Sequence, residues 1–182
     1  MKTVLTLALF ALLVSPALAQ EWQQFTYPDQ GFSVSFPGQP QIRDSTITLA
    51  AGSNVPARIY SLTQGANDYL LTIADFSAAT SDDDTIINQA ADALRATGTV
   101  SVDIQARVRR NYGRQLAVTA KDGSHSVGAI FFVNHHLFQI EGITHPANGG
   151  GDSSGAARFQ QSLDFIGANG GYGYGFGGRY RF

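Results

Sequence analysis

The chain has 182 residues, of which 12 are basic and 14 acidic, with a formal net charge of −2 and no cysteine. A charge so close to zero argues against nucleic acid or an anionic membrane surface as the partner. Without cysteine, disulfides and thiolate chemistry are excluded, and the length suffices for one domain with its own core.

The first 19 residues have the pattern of a secretory signal peptide. Lys2 precedes an uncharged, largely apolar run at residues 4–14, and residues 17–19 (Ala-Leu-Ala) are small where a signal peptidase cuts. The run is shorter than the about 20 residues that a membrane-spanning helix needs. We therefore expect an exported protein, periplasmic or alternatively secreted, with no transmembrane segment in its mature chain.

An N-terminal β-hairpin is predicted next, and its second strand lies in the stretch GFSVSFPGQP, residues 31–40. Phe32, Val34 and Phe36 alternate with serines, which is the period of a half-buried strand. Residues 28–31 (Pro-Asp-Gln-Gly) have the composition of a turn.

Most of the remaining chain predicts antiparallel strands, because short alternating segments are separated by turn residues. The predicted strands are residues 45–50, 57–62, 69–76, 99–108, 115–120, 127–133 and 137–143. The segment 127–133 (VGAIFFV) is apolar at every position but its glycine, which predicts a central strand covered on both faces. Hairpin turns are expected at residues 121–123 and 134–136.

Two helices are predicted. Ser81 is placed to cap the first, with Asp84 three residues later as in a capping box, and Gly98 to end it. Its apolar stripe consists of Ile87, Ala90, Ala91 and Leu94. The second is expected over about 155–166, capped by Ser153 or Ser154, with Phe159, Leu163 and Ile166 on one face.

These elements predict an α+β domain over residues 20–166, in which a single antiparallel sheet has helices packed on its faces. Residues 167–182 are expected to form a disordered tail, since seven glycines and five aromatic residues offer no packed core.

The stretch WQQFTYPDQGFSVSFPGQP resembles the start of PsbP-like domains and their exported bacterial relatives of unassigned function. The residues that carry the resemblance are Trp22, Phe25, Pro28, Gly31, Phe32, Val34, Phe36, Pro37, Gly38 and Pro40. It extends to about residue 166 through the order of the elements, and it implies a non-enzymatic binding or assembly module without a catalytic motif.

The histidines offer a candidate metal site. If residues 134–136 form a three-residue turn, His125 and His145 lie opposite each other on neighbouring strands, where two imidazoles and a ligand such as Asp122 could hold Zn²⁺ or Cu²⁺. The alternative is that these histidines are solvated strand-end residues and that the chain has no cofactor. A two-residue turn removes the pairing.

Arginines supply a candidate binding surface, formed by Arg107, Arg109, Arg110 and Arg114. Arg107 and Arg109 are expected on the polar face of one strand, about 7 Å apart, where a carboxylate or phosphate would bridge them. Asp103 on the same face would neutralise part of this charge, and a solvated strand face is the alternative.

The tail supplies a second candidate binding surface. Its aromatic residues occupy positions of one parity, so an extended tail would present them on one side and could add to the edge of another sheet. These residues are Tyr172, Tyr174, Phe176, Tyr180 and Phe182.

The function expected from the sequence is that of an exported binding or accessory module of the cell envelope, with an unknown protein or envelope component as partner. One alternative is a metal-dependent or hydrolytic enzyme using the His125 and His145 rim. Ser126 is a poor hydrolase nucleophile because its surroundings miss the Gly-x-Ser-x-Gly pattern. The other alternative is a structural envelope protein that associates, peripherally to a membrane or with itself, through its tail.

Overall fold

The computed structural model describes residues 21–48, 52, 54–78, 82–146 and 153–167. The predicted leader and residues 168–182 of the predicted tail lie outside them.

The described residues form ten strands, two α-helices and one 3₁₀ turn. In chain order they are β1 (Gln23–Tyr27), the 3₁₀ turn (Pro28–Gln30), β2 (Phe32–Phe36), β3 (Gln41–Thr48), β4 (Asn54–Gln64), β5 (Asn67–Asp75), α1 (Asp83–Arg95), β6 (Gly98–Val108), β7 (Asn111–Ala120), β8 (His125–Val133), β9 (His136–Thr144), α2 (Ser153–Gln160) and β10 (Asp164–Phe165).

The predicted single-sheet α+β domain is wrong, because the described residues are mostly strand and form two antiparallel sheets. Seven strands pair in the order β3-β4-β5-β9-β8-β7-β6, and three form a separate sheet in the order β1-β2-β10. The hairpin of β1 and β2 was predicted correctly as a hairpin, but it is stacked on the larger sheet instead of joining its edge. Alternation in a strand indicates which side chains are buried; it does not tell whether a neighbouring strand or a second layer buries them.

One face of the large sheet is covered by the small sheet and α2. Phe32, Val34 and Phe36 of β2 have no exposed surface and pack with apolar residues of β4, β5, β8 and β9. The ring centroid of Phe159 on α2 lies 4.7 Å from the ring centroid of Phe36. The small sheet thus supplies much of the apolar cover that the prediction had assigned to helices.

The opposite face of the large sheet is covered by α1. Ile86, Ala91 and Leu94 are buried there against β7, β8 and neighbouring strands. Strand β8 contributes to both faces, since Phe131 belongs to the first core and Ile130 to the second. The prediction of a strand covered on both sides is therefore confirmed.

The first helix begins one residue later than its predicted cap implies. Asp82 is the N-cap, and its Oδ1 accepts a hydrogen bond from the Thr85 N–H at 2.9 Å. A carboxylate at this position also faces the positive end of the helix dipole. Ser81 lies outside the described residues.

The second predicted helix is wrong in its C-terminal half, because α2 ends at Gln160. The Ser162 hydroxyl donates to the Phe159 carbonyl at 2.8 Å and accepts from the Ser35 N–H at 3.0 Å, which directs the chain toward β2. Strand β10 follows, and Phe165 becomes buried while Ile166 is left exposed. None of the described helices has the length and apolar character required to cross a membrane.

Candidate functional site: a groove between the two sheets

A groove opens where the small sheet stops short of one end of the large sheet. Its floor is a row of side chains that lie directly opposite one another on successive strands: Asp44 on β3, Arg58 on β4, Ile73 on β5 and Phe138 on β9. Residues paired in this way share one face of a sheet. The floor therefore changes from charged at the sheet edge to apolar near its centre.

The next row toward the end of the sheet extends this floor. Asp75 on β5 lies opposite His136 on β9, which lies opposite Val133 on β8. Pro56 of β4 lines the same groove. A proline removes a backbone donor near the edge of the sheet.

Two walls close the groove. The first is the 3₁₀ turn, which is fixed by a hydrogen bond from the Tyr60 hydroxyl to Gln30 Oε1 at 2.5 Å. The second wall is the end of β10, where Ile166 donates its N–H to the Gly31 carbonyl at 2.8 Å. Gly31 has a φ of +74°, a conformation that glycine adopts without strain. Its backbone joins the two walls.

Strand β10 is itself held in place from two sides. Phe165 packs edge to face on Phe131 and Phe138, at centroid distances of 5.7 and 5.0 Å. Arg109 donates two hydrogen bonds to the Asp164 carboxylate, at 2.5 and 2.6 Å, and the hydrogen bond from Arg109 lowers the pKa of Asp164. The wall is therefore fixed by packing and by a bidentate ion pair.

The groove has a volume of about 590 Å³, within the range typical of ligand sites. Carboxylates outnumber cations along it, with Asp29, Asp44 and Asp75 against Arg58. Arg58 donates to Asp44 at 2.8 Å, and this hydrogen bond raises the pKa of Arg58. Within the described part of the chain, neither Asp29 nor Asp75 forms an ion pair.

Asp75 stays ionised over a wide range of pH. Its Oδ1 accepts the Ser77 N–H at 2.8 Å, and this hydrogen bond lowers the pKa of Asp75. An ionised carboxylate beside an apolar floor favours a ligand that carries both a cation and an apolar group.

Sequence reasoning missed all the residues of this groove. The signal was present in the strand register, because once β3, β4, β5 and β9 are aligned, Asp44, Arg58, Ile73 and Phe138 fall in one row. That alignment requires the strand order, which joins β5 to β9 across a long stretch of chain. Alternation within single strands does not provide it.

The predicted arginine surface is divided by the fold. Strand β6 ends at Val108, and Arg109 has a φ of +54° in the following turn, so the expectation that Arg107 and Arg109 share a strand face is wrong. Arg109 is paired with Asp164, as described above, while Arg107 donates to the Arg109 carbonyl at 2.7 Å and lies over the Tyr112 ring.

The other two arginines lie at different depths of the same hairpin. Arg110 is exposed in the β6–β7 turn. Arg114 donates to Asp103 at 2.5 Å, and Arg95 donates to the second oxygen of that carboxylate at 2.9 Å. The hydrogen bonds from Arg114 and Arg95 lower the pKa of Asp103 to about 2.

The predicted histidine pair does not form. The β8–β9 turn has two residues, Asn134 and His135, both with positive φ, so His125 lies opposite Thr144 and not opposite His145. Among the residues described, no three His, Cys, Asp or Glu side chains are grouped as a metal ion requires.

His145 instead joins a hydrogen-bonded cluster at the opposite end of β9 from the groove. Its Nδ1 lies 3.0 Å from Ser124 Oγ and its Nε2 lies 2.7 Å from Asp68 Oδ2. Thr63 donates to the same carboxylate at 2.6 Å. Burial alone would raise the pKa of Asp68, but the hydrogen bonds from Thr63 and His145 outweigh it, and the pKa is lowered.

The residue types of this cluster are those of a serine hydrolase triad. Ser124 is only 6% exposed, however, and its N–H donates to the Asp122 carboxylate at 2.9 Å within the turn between β7 and β8. Ser126, the serine considered from sequence, donates to Glu141 at 2.5 Å. The cluster joins two hairpins, and its serine is shielded from solvent.

The predicted aromatic tail, Tyr172 to Phe182, lies outside the described residues. The last described residue before it, Gly167, lines the groove.

The chain matches no known protein-family model, and a search of curated proteins found no similar protein.

Proposed function

We propose that the chain is an exported, non-enzymatic binding or accessory module of the cell envelope, and that its ligands occupy the groove between the two sheets. The observation that carries this proposal is the row of Asp44, Arg58, Ile73 and Phe138, in which charged and apolar side chains form one continuous floor. The leader-like N terminus supports export. The resemblance of residues 22–40 to PsbP-like domains supports a binding role, since it carries no catalytic motif.

The chemistry of the groove favours an extended peptide segment with aromatic and cationic side chains. Aromatic rings would pack on the exposed side chains of Pro56 and Ile166, because the floor residues Ile73 and Phe138 are only 7% and 3% exposed. Asp29 and Asp75 would accept charge-assisted hydrogen bonds from guanidinium or ammonium groups. A peptide of this kind is the partner that we propose.

The direct test is titration of the fragment 20–167 with the probe peptide acetyl-Arg-Tyr-Arg-Phe-amide. Both core clusters, with the partly buried residues packed against them, lie between Trp22 and Phe165, so the fragment retains these packing contacts. We expect binding with a Kd of about 0.1 mM, observed as NMR shift changes along the groove. The charge-reversed peptide acetyl-Glu-Tyr-Glu-Phe-amide should bind far more weakly. Equal binding of both peptides, or of neither, would contradict the proposal.

A matched pair of variants separates groove chemistry from general charge. Asp75→Asn keeps the Oδ1 acceptor for the Ser77 N–H but removes the charge; combined with Asp29→Asn, it should weaken probe binding by about fivefold, as expected for partly exposed ion pairs. Asp92→Asn removes an exposed carboxylate on α1, which does not line the groove. This control should leave the affinity unchanged.

A hydrolase is a second candidate, favoured by the Ser124, His145 and Asp68 cluster. For this activity Ser124 Oγ would have to become accessible to a substrate, since the residue is 6% exposed. Labelling of the protein by a fluorophosphonate, abolished by Ser124→Ala, would support hydrolysis. Absence of labelling at concentrations that modify known serine hydrolases would remove this candidate.

A further inference from the structure

We infer that the segment 168–182 of this chain occupies the groove of its own domain and thereby limits access of other ligands. The inference rests on the proposed function, because it assumes that the groove takes aromatic and cationic peptide segments. Three observations favour the tail as the occupant of the groove.

The first observation is the position at which the described chain ends. Phe165 is buried between Phe131 and Phe138, and Ile166 is held to Gly31 by a backbone hydrogen bond. Ile166 and Gly167 then form part of the groove itself. The tail therefore starts inside the site, and a short tether of this kind gives an effective concentration of roughly 1 mM.

The second observation is that the side chains of the tail complement those of the groove. The segment 168–182 contains five aromatic residues, Arg179 and Arg181, and no acidic side chain. The groove offers the exposed apolar side chain of Ile166 and the carboxylates of Asp29 and Asp75, which form no ion pair within the described residues. Attraction between the arginines and these carboxylates adds to the burial of aromatic surface.

The third observation is the spacing of the aromatic residues in the tail. Tyr172, Tyr174 and Phe176 alternate with glycine, so in an extended segment the three rings lie on one side. Glycine has no side chain to keep the backbone away from the groove walls. A segment with this pattern can lie along a narrow groove with its rings toward the floor.

The two edge strands of the large sheet, β3 and β6, are competing places for the tail. Ile42 on β3 is 48% exposed and Ile104 on β6 is 54% exposed. The Arg109–Asp164 ion pair holds the end of β6 within a few residues of the tail, but Gly167, from which the tail starts, itself lines the groove. Addition of the tail to β6 of a second copy is thus the outcome against which the inference is tested.

The experiment compares the full mature chain 20–182 with a variant in which the five tail aromatics are replaced by serine, using acetyl-Arg-Tyr-Arg-Phe-amide as the probe. If the tail binds its groove with an intrinsic Kd of about 0.1 mM, roughly one groove in ten is open and the probe binds the native chain about tenfold more weakly. A second pair keeps the aromatics: Arg179→Glu with Arg181→Glu should restore probe affinity, and the matched lysine double variant should not.

The outcomes separate this inference from the proposed function. If the fragment 20–167 does not bind the probe, the groove is not the site and both proposals fail. If that fragment binds the probe and the native chain binds it equally well, only the inference is overturned. If the native chain binds more weakly but forms dimers in sedimentation at the same concentrations, the tail acts on a second copy, which also overturns it.

Discussion

Replacing Phe165 by alanine tests the part of the fold that sequence reasoning predicted wrongly. Phe165 is 4% exposed and packs on two phenylalanine rings of the large sheet. Buried Phe→Ala changes cost about 3–5 kcal/mol. Because β10 has only two residues at the edge of the small sheet and can partly collapse into the cavity, we expect about 3 kcal/mol for Phe165→Ala.

The neighbouring residue provides the control. Ile166 is 37% exposed, so Ile166→Ala should lower the free energy of unfolding by only about 1 kcal/mol, from the loss of partial apolar burial. Urea unfolding, followed by circular dichroism with the slope of the transition compared between variants, measures both values. A continuous helix through residue 166 would bury Ile166, and a larger loss for Ile166→Ala than for Phe165→Ala would refute the structure of this segment.

Two further predictions concern the large sheet. Gly142→Ala should lower the free energy of unfolding by about 2 kcal/mol, because a Cβ there would lie 2.6 Å from the Cα and carbonyl oxygen of Ala156 in α2. The control Gly38→Ala, whose Cβ would lie 3.5 Å from a leucine methyl group, should be close to neutral in the same urea assay. Equal effects of the two substitutions would contradict the close approach of α2. Asp103→Asn should cost about 1 kcal/mol near pH 7, since the ion pairs of Asp103 are partly solvated. The pKa of Asp103 in the folded protein, about 2, lies below the ordinary 3.8, so this contribution is present above pH 4 and is lost as the pH falls toward 2. If the difference in unfolding free energy between native protein and Asp103→Asn does not shrink on acidification, the charge of Asp103 does not stabilise the fold.

Local patterns in the sequence were enough to predict the individual elements of the large sheet. Strand β6 follows from alternation, and helix α1 follows from an apolar stripe with an acidic N terminus. The predicted stripe was wrong in part, because Ile86 is buried in place of Ile87. Such patterns depend only on neighbours along the chain. The predicted N-cap of α1 was wrong by one residue, because Ser81 and Asp82 are both residue types that cap helices.

The layering of the two sheets depends on contacts between distant parts of the chain. The pairing of Phe165 with Phe32 joins the end of the domain to its beginning. In the sequence, Phe159, Leu163 and Ile166 have helical spacing, and tertiary packing of Phe165 overrides it. The same non-local pairing creates the groove, which explains why its residues could not be predicted from single segments.

The predicted pairing of His125 with His145 was wrong because the β8–β9 turn is one residue shorter than expected. Asn134 is a residue that adopts positive φ readily, but His135 does so without the glycine that marks most two-residue hairpin turns. Shortening the turn by one residue shifts every pair between β8 and β9. His145 then lies beyond the paired residues and contacts Asp68 instead.

The central claim is that the groove between the two sheets binds a peptide segment with aromatic and cationic side chains. The most direct measurement is the set of intermolecular NOEs between the tyrosine ring of the probe peptide and methyl-labelled isoleucines of the fragment 20–167. We expect contacts to the groove residues Ile73 and Ile166, of which Ile166 is 37% exposed. Contacts to Ile104 on the exposed β6 edge, without any to either groove residue, would contradict the claim.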